Sequence, residues 1–280
     1  MSTKVANVSN PLGTSLSSLV IFGSQLLALT EDGRHLFIWD TESCGRLPFT
    51  LHLHISCVHL VELVSTIGFD PDFTATCVLH PATYLNKILV GSSQGSLQLW
   101  NIRTQTCIHR FSASTLQSTS VSSSSPSPVT ALIQSPAIDV VGVGFASGEI
   151  AIYDIRADER LLRIFMDGGA IRSLGFRNGN HFGIFPSSCL INIIYCLDNN
   201  AVLASASSTG HVALWDLNHQ GCLLHIIRGA HDAAVTALEW IPGQAVLVTS
   251  GDDNSVKVYS LQVFMILSIA EMPLFLAMAF

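Results

Sequence analysis

One short pattern recurs five times along the chain: alternating apolar residues run into an aromatic and close on a polar residue. It reads FIWD at 37–40, LQLWN at 97–101, IAIYD at 150–154, VALWD at 212–216 and VKVYS at 256–260. Alternation with a period of two is the signature of a strand. The closing residues Asp40, Asn101, Asp154, Asp216 and Ser260 are spaced by 61, 53, 62 and 44 residues. A chain that repeats one strand at such spacing is an array of similar sheets.

The same grammar precedes each copy. Strand-like runs lie at Gln25–Leu29, Asn86–Val90, Val140–Gly144, Ala201–Ser205 and Ala245–Thr249. Each leads into a turn: Glu31-Asp32-Gly33, Gln94-Gly95, Ser147-Gly148, Thr209-Gly210 or Asp253-Asn254. Gly, Asn and Asp accept the positive φ that tight hairpins need. Further alternating strands precede these, at Val129–Ile133, Ile171–Phe176 and Val235–Trp240. Three or four antiparallel strands per unit is the content of a propeller blade, and stacked blades cover each other's apolar faces. The expected fold is all-β: a WD40-type β-propeller, about five blades of an incomplete array, with open strand edges at its ends.

A blade of this type takes about 40–45 residues, so three of the four intervals need insertions. The tract 112–128 holds nine serines and reads as a flexible surface loop. A second insertion is expected near 180–199, an apolar segment that fits no repeat position. The expected layout is an N-terminal segment 1–16, repeats over 17–260 and an apolar tail 261–280. The twenty residues of that tail are just enough for a membrane span. Glu271 and Pro273 interrupt it and no basic residue flanks it, so a truncated reading frame, or a segment packed on an exposed blade face, is expected and no membrane association.

A formal charge of −7 argues against an autonomous nucleic-acid binder. The seven cysteines show no paired spacing, and the N-terminus carries no apolar signal core, so a reduced, intracellular protein with buried thiols is expected. His52, His54, Cys57 and His59 cluster in LHLHISCVHL, but alternation in a strand splits them between two faces, and no metal site is expected. Gly142, Gly144 and Gly148 miss the dinucleotide spacing and lead into a hairpin where a helix should receive the phosphate. No phosphate-binding loop, nucleophile elbow or HExxH occurs. No enzyme activity, cofactor or small-molecule substrate is expected.

The chain resembles WD-repeat proteins, and in particular the WD repeat-containing protein thirty-six family of the small-subunit processome. The resemblance rests on HPATYLNKILVG at 80–91, GSLQLWN at 95–101, SPAIDVV at 135–141, IRSLGFR at 171–177, GHVALWDL at 210–217 and DDNSVKVY at 252–259. It covers roughly residues 17–260. In WD repeats a His, a Ser or Thr, a turn Asp and a strand-end Trp form a buried hydrogen-bond chain. The matching residues are His231, Thr249, Asp253 and Tyr259, with Tyr in place of Trp. The resemblance implies a structural network at these residues and a non-catalytic nucleolar scaffold in ribosome biogenesis and pre-18S rRNA processing. It implies protein partners of the UTP-B module, and an indirect association with pre-rRNA and the snoRNA particle. A generic WD40 adaptor of signalling or ubiquitin transfer is the alternative.

Overall fold

The computed structural model describes residues 10–40, 62–116, 126–177, 202–242 and 244–260. The chain divides into two compact units, Met1–Leu132 and Ile133–Phe280. In the first unit β1 (Leu16–Phe22), β2 (Gln25–Thr30), β3 (His35–Asp40) and β4 (Glu62–Gly68) form one sheet in that order. A second sheet follows from β5 (Ala75–Leu79), β6 (Lys87–Ser92), β7 (Leu97–Asn101) and β8 (Thr106–Phe111), and a single helical turn, α1 (Ala113–Leu116), comes after it.

A third sheet, in the order β12-β11-β10-β9, is formed by β9 (Val129–Gln134), β10 (Val140–Phe145), β11 (Glu149–Asp154) and β12 (Glu159–Phe165). The second unit continues with β13 (Ile171–Phe176), β14 (Val202–Ser207), β15 (Val212–Asp216) and β16 (Cys222–Ile227). The last sheet has three described strands, β17 (Val235–Trp240), β18 (Val246–Gly251) and β19 (Val256–Ser260). The described residues are thus all-β, in five antiparallel sheets of the strand content expected for propeller blades.

Two local devices repeat from sheet to sheet. The hairpin between second and third strands turns on a residue with positive φ: Gly33, Gly95, Gly148, Gly210 and, in the last sheet, Asn254. At Gly210 (φ 81°) a Cβ would lie 2.1 Å from the His231 carbonyl oxygen, so both the dihedral and the close approach require glycine. The second device is a β-bulge. In all four complete sheets the third and fourth strands slip register immediately before the aromatic: at Trp39, Trp100, Tyr153 and Trp215. The slip leaves Val64, Ile108, Leu161 and Leu224 of the outer strands unpaired and exposed.

The first two sheets share an apolar layer in which Leu27, Leu29, Leu36 and Ile38 meet Ile88, Val90 and Trp100. In the second unit Val202, Ala204, Val212 and Leu214 meet Val235, Leu238 and Leu247 in the same way. The register equivalents of Val212 and Leu214 in the last sheet are Val256 and Val258, which are 70% and 65% exposed. That face is the one the blade pattern reserves for a neighbouring sheet.

Three expectations need adjustment. The Ser-rich tract is not loop throughout: residues 113–116 are helical because Leu116 is fully buried and anchors the turn. The first strand starts at Leu16, and the Ser15 carbonyl accepts from the Glu31 amide at 2.8 Å, so residue 16 belongs to the first sheet. Not every thiol is buried: Cys222 opens an outer strand and is exposed. Cys77 and Cys107 are half-buried, and desolvation pushes the Cys77 thiol up to about 12. The segment 180–199, the tail 261–280, the stretch 117–125 and the 52–59 cluster lie outside the described residues. No described helix is long and apolar enough to cross a membrane.

Candidate functional site

Sheet register creates one recurrent polar position per blade. In the five sheets the third-strand aromatic pairs as Leu26↔Trp39, Ile88↔Trp100, Val141↔Tyr153, Leu203↔Trp215 and Leu247↔Tyr259. Two residues further along the second strand, on the same face, stand Ala28, Val90, Val143, Ser205 and Thr249. A hydroxyl there can receive the aromatic's polar hydrogen. Only Ser205 and Thr249 supply one.

The last sheet carries the longest network. His231 is 1% exposed and sits in the loop ahead of β17. Its Nδ1 lies 2.9 Å from Asp253 Oδ1, and its Nε2 lies 2.8 Å from Thr249 Oγ1. A carboxylate only accepts, so Nδ1–H donates to Asp253, and Nε2 on the other side of the ring is bonded to the Thr249 hydroxyl. Asp253 also accepts the Asp232 amide at 3.1 Å and the Ser255 hydroxyl at 2.7 Å, which ties the loop before β17 to the β18–β19 turn. The Ser255 and His231 hydrogen bonds, in that order, hold the Asp253 carboxyl well below the usual carboxylate range.

Tyr259 joins this group from β19. Its hydroxyl donates to the Ala230 carbonyl at 3.2 Å. Burial and then the Asp253 charge push the phenol up, while a hydrogen bond with Thr249 opposes them. The structure therefore brings all four sequence-selected residues, His231, Thr249, Asp253 and Tyr259, into one cluster. Both imidazole nitrogens are committed to protein groups in a buried setting, so neither is left to meet a substrate.

The other sheets show what the same position does with different residues. Trp215 donates its indole N–H to Ser205 Oγ at 2.8 Å, and the Ser205 hydroxyl in turn donates a hydrogen bond to Met166 Sδ at 3.2 Å. In the second sheet Val90 offers no acceptor, and Trp100 donates instead to Gln98 Oε1 at 2.8 Å. Tyr153 bonds Asp158. Trp39 meets Ala28 and Phe37, both apolar, and its buried N–H has no partner among the described residues. Sequence reasoning missed Gln98. The signal was present: Val90 stands where a hydroxyl serves Trp215, and Gln98 is the polar side chain on the same face of β7 as Trp100.

Among the described residues no three His, Cys, Asp or Glu side chains come together as a metal site. The polar set is a series of intra-blade cross-links.

These repeated cross-links, and the blades they sit in, agree with the sequence comparisons. A family model described as the WDR36/Utp21 first beta-propeller matches residues 1–262. The chain belongs to the WDR36/Utp21 family. It is 33% identical over 239 residues to WD repeat-containing protein 36 of Homo sapiens, covering 85% of this chain and 21% of that protein. It is 30% identical over 243 residues to the U3 small nucleolar RNA-associated protein 21 homolog of Schizosaccharomyces pombe, covering 87% and 22%. The Saccharomyces cerevisiae U3 small nucleolar RNA-associated protein 21 is 26% identical over 250 residues, 88% of this chain and 22% of that protein. The chain thus spans about a fifth of the length of these WDR36/Utp21 relatives.

Proposed function

We propose that the chain is a non-catalytic β-propeller scaffold of the small-subunit processome, acting in ribosome biogenesis and pre-18S rRNA processing in the nucleolus. The observation that carries this reading is the family match across residues 1–262. Two of the relatives above are named for association with U3 small nucleolar RNA. The buried His231 network supports the non-catalytic part, because its polar atoms are used on one another. A net charge of −7 suits contact with other proteins of the UTP-B module and an indirect association with pre-rRNA and the snoRNA particle.

The layout that goes with this reading is blades from Leu16 to residue 260, a Ser-rich insertion at 112–128 that opens on the turn α1, a second insertion at about 180–199, and a separate tail at 261–280. Subnuclear fractionation of cells expressing the tagged chain tests the assignment. Enrichment in nucleoli is the expected result. Exclusion from nucleoli would overturn it and favour the WD40 adaptor.

A further inference from the structure

The first unit contains a cleft of about 480 Å³, formed by the β4–β5 loop at Asp70–Phe73, the start of β7 at Ser96–Gln98 and the end of β8 at Arg110–Ser112. Its volume lies in the range of small-ligand sites, roughly 300–1,000 Å³. Phe73, Leu97 and Phe111 are buried and give it an apolar floor. Asp72 is exposed at its rim, and Asp70 pairs there with Arg110 at 2.6 Å. Both partners of that pair are more than half exposed, so the bridge is weak and open to exchange.

Gln98 is the unusual member of this cleft, with only 3% of its surface exposed. An indole nitrogen can only donate, so the atom 2.8 Å from Trp100 Nε1 must be the Gln98 carbonyl oxygen. The carbonyl is therefore committed to Trp100, which leaves the amide NH₂ of this cleft-lining residue with no acceptor among the described residues. Phe37, Ala151, Ala213 and Lys257 hold the equivalent register position in the other sheets, so this oriented amide belongs to the second sheet alone. The side chain is buried but its amide borders the open cleft, where water or a ligand supplies the acceptor.

We propose that this cleft docks an extended peptide segment of a protein partner. A peptide carbonyl accepts from the Gln98 amide, neighbouring peptide N–H groups donate to Asp70 and Asp72, and an apolar side chain rests on Phe73 and Phe111. An extended backbone offers alternating acceptors and donors, which is what the two sides of the cleft call for. The carboxylates at the rim disfavour a phosphate-bearing ligand. The proposal rests on the reading of the chain as a protein-binding scaffold and gives that reading a place.

The test is selection of binders from a random-sequence peptide library on the folded chain, followed by fluorescence anisotropy of the selected peptides on variants. Gln98→Glu keeps the acceptor for Trp100 and removes the donor into the cleft. Asp72→Lys changes only the exposed rim and serves where the first variant loses its fold. The expected result is a shared peptide class whose affinity falls about tenfold on either variant, the size of one lost buried hydrogen bond. Recovery of no peptide, or of peptides indifferent to both substitutions, would overturn the cleft assignment. Nucleolar enrichment of the tagged chain is read separately, so failure here and failure of the scaffold reading are distinguishable.

Discussion

The indole N–H of Trp215 rests 2.8 Å from Ser205 Oγ, whereas Trp39, at the same register position in the first sheet, faces Ala28 and has no hydrogen-bond partner among the described residues. A single atom separates a satisfied blade from an unsatisfied one. Ala28→Ser should therefore stabilise the protein, by about 1 kcal/mol, the net worth of one buried hydrogen bond. Ser205→Ala should do the reverse and cost about 1–3 kcal/mol, because it strands the Trp215 donor. Denaturant midpoints of the two variants check both signs.

Much of this was legible in the sequence because each signal was local. The aromatic-ended strands and their Gly or Asn turns appear where alternation and positive-φ residues placed them, from Gly33 to Asn254. The His231 cluster was legible from a fixed order of residue types. The outer strands were harder to read. In β8 and β12 the bulge breaks the period of two, so Ile108 and Leu161 point to solvent where alternation would place a polar residue. Gln98 was legible only once Val90 is known to face Trp100 across the sheet, and Leu116 is marked by its burial and not by its neighbours in sequence.

The Asp253 carboxylate makes the network sensitive to acid. Its folded pKa lies below its unfolded value, so its contribution is fully present above about pH 4 and is lost as pH falls toward the folded value. Asp253→Asn should lower the melting temperature at neutral pH, and the gap to the native chain should narrow as pH drops below about 4. Thr249→Val leaves His231 Nε2 buried without its partner and should cost about 1–3 kcal/mol at neutral pH. Melting curves across pH for the three proteins read both effects.

The turn before β15 tolerates little. Gly210→Ala adds a Cβ against the His231 carbonyl oxygen at a φ of 81°, and should destabilise by about 1–3 kcal/mol. Asn254→Gly occupies the corresponding turn before β19 at a φ of 60°, where glycine is at ease, and should change stability by less than about 0.5 kcal/mol. Comparing the two midpoints separates the close approach from the dihedral alone.

The role proposed for this chain, built from WDR36/Utp21-type blades, is to hold protein partners in the processome. Affinity purification of the tagged chain reads that role, with mass spectrometry of the proteins and amplification of U3 small nucleolar RNA from the same eluate. UTP-B proteins and U3 RNA together, well above a control purification, are the expected result. Recovery of the chain with chaperones alone, and with neither of these, would overturn the proposed role.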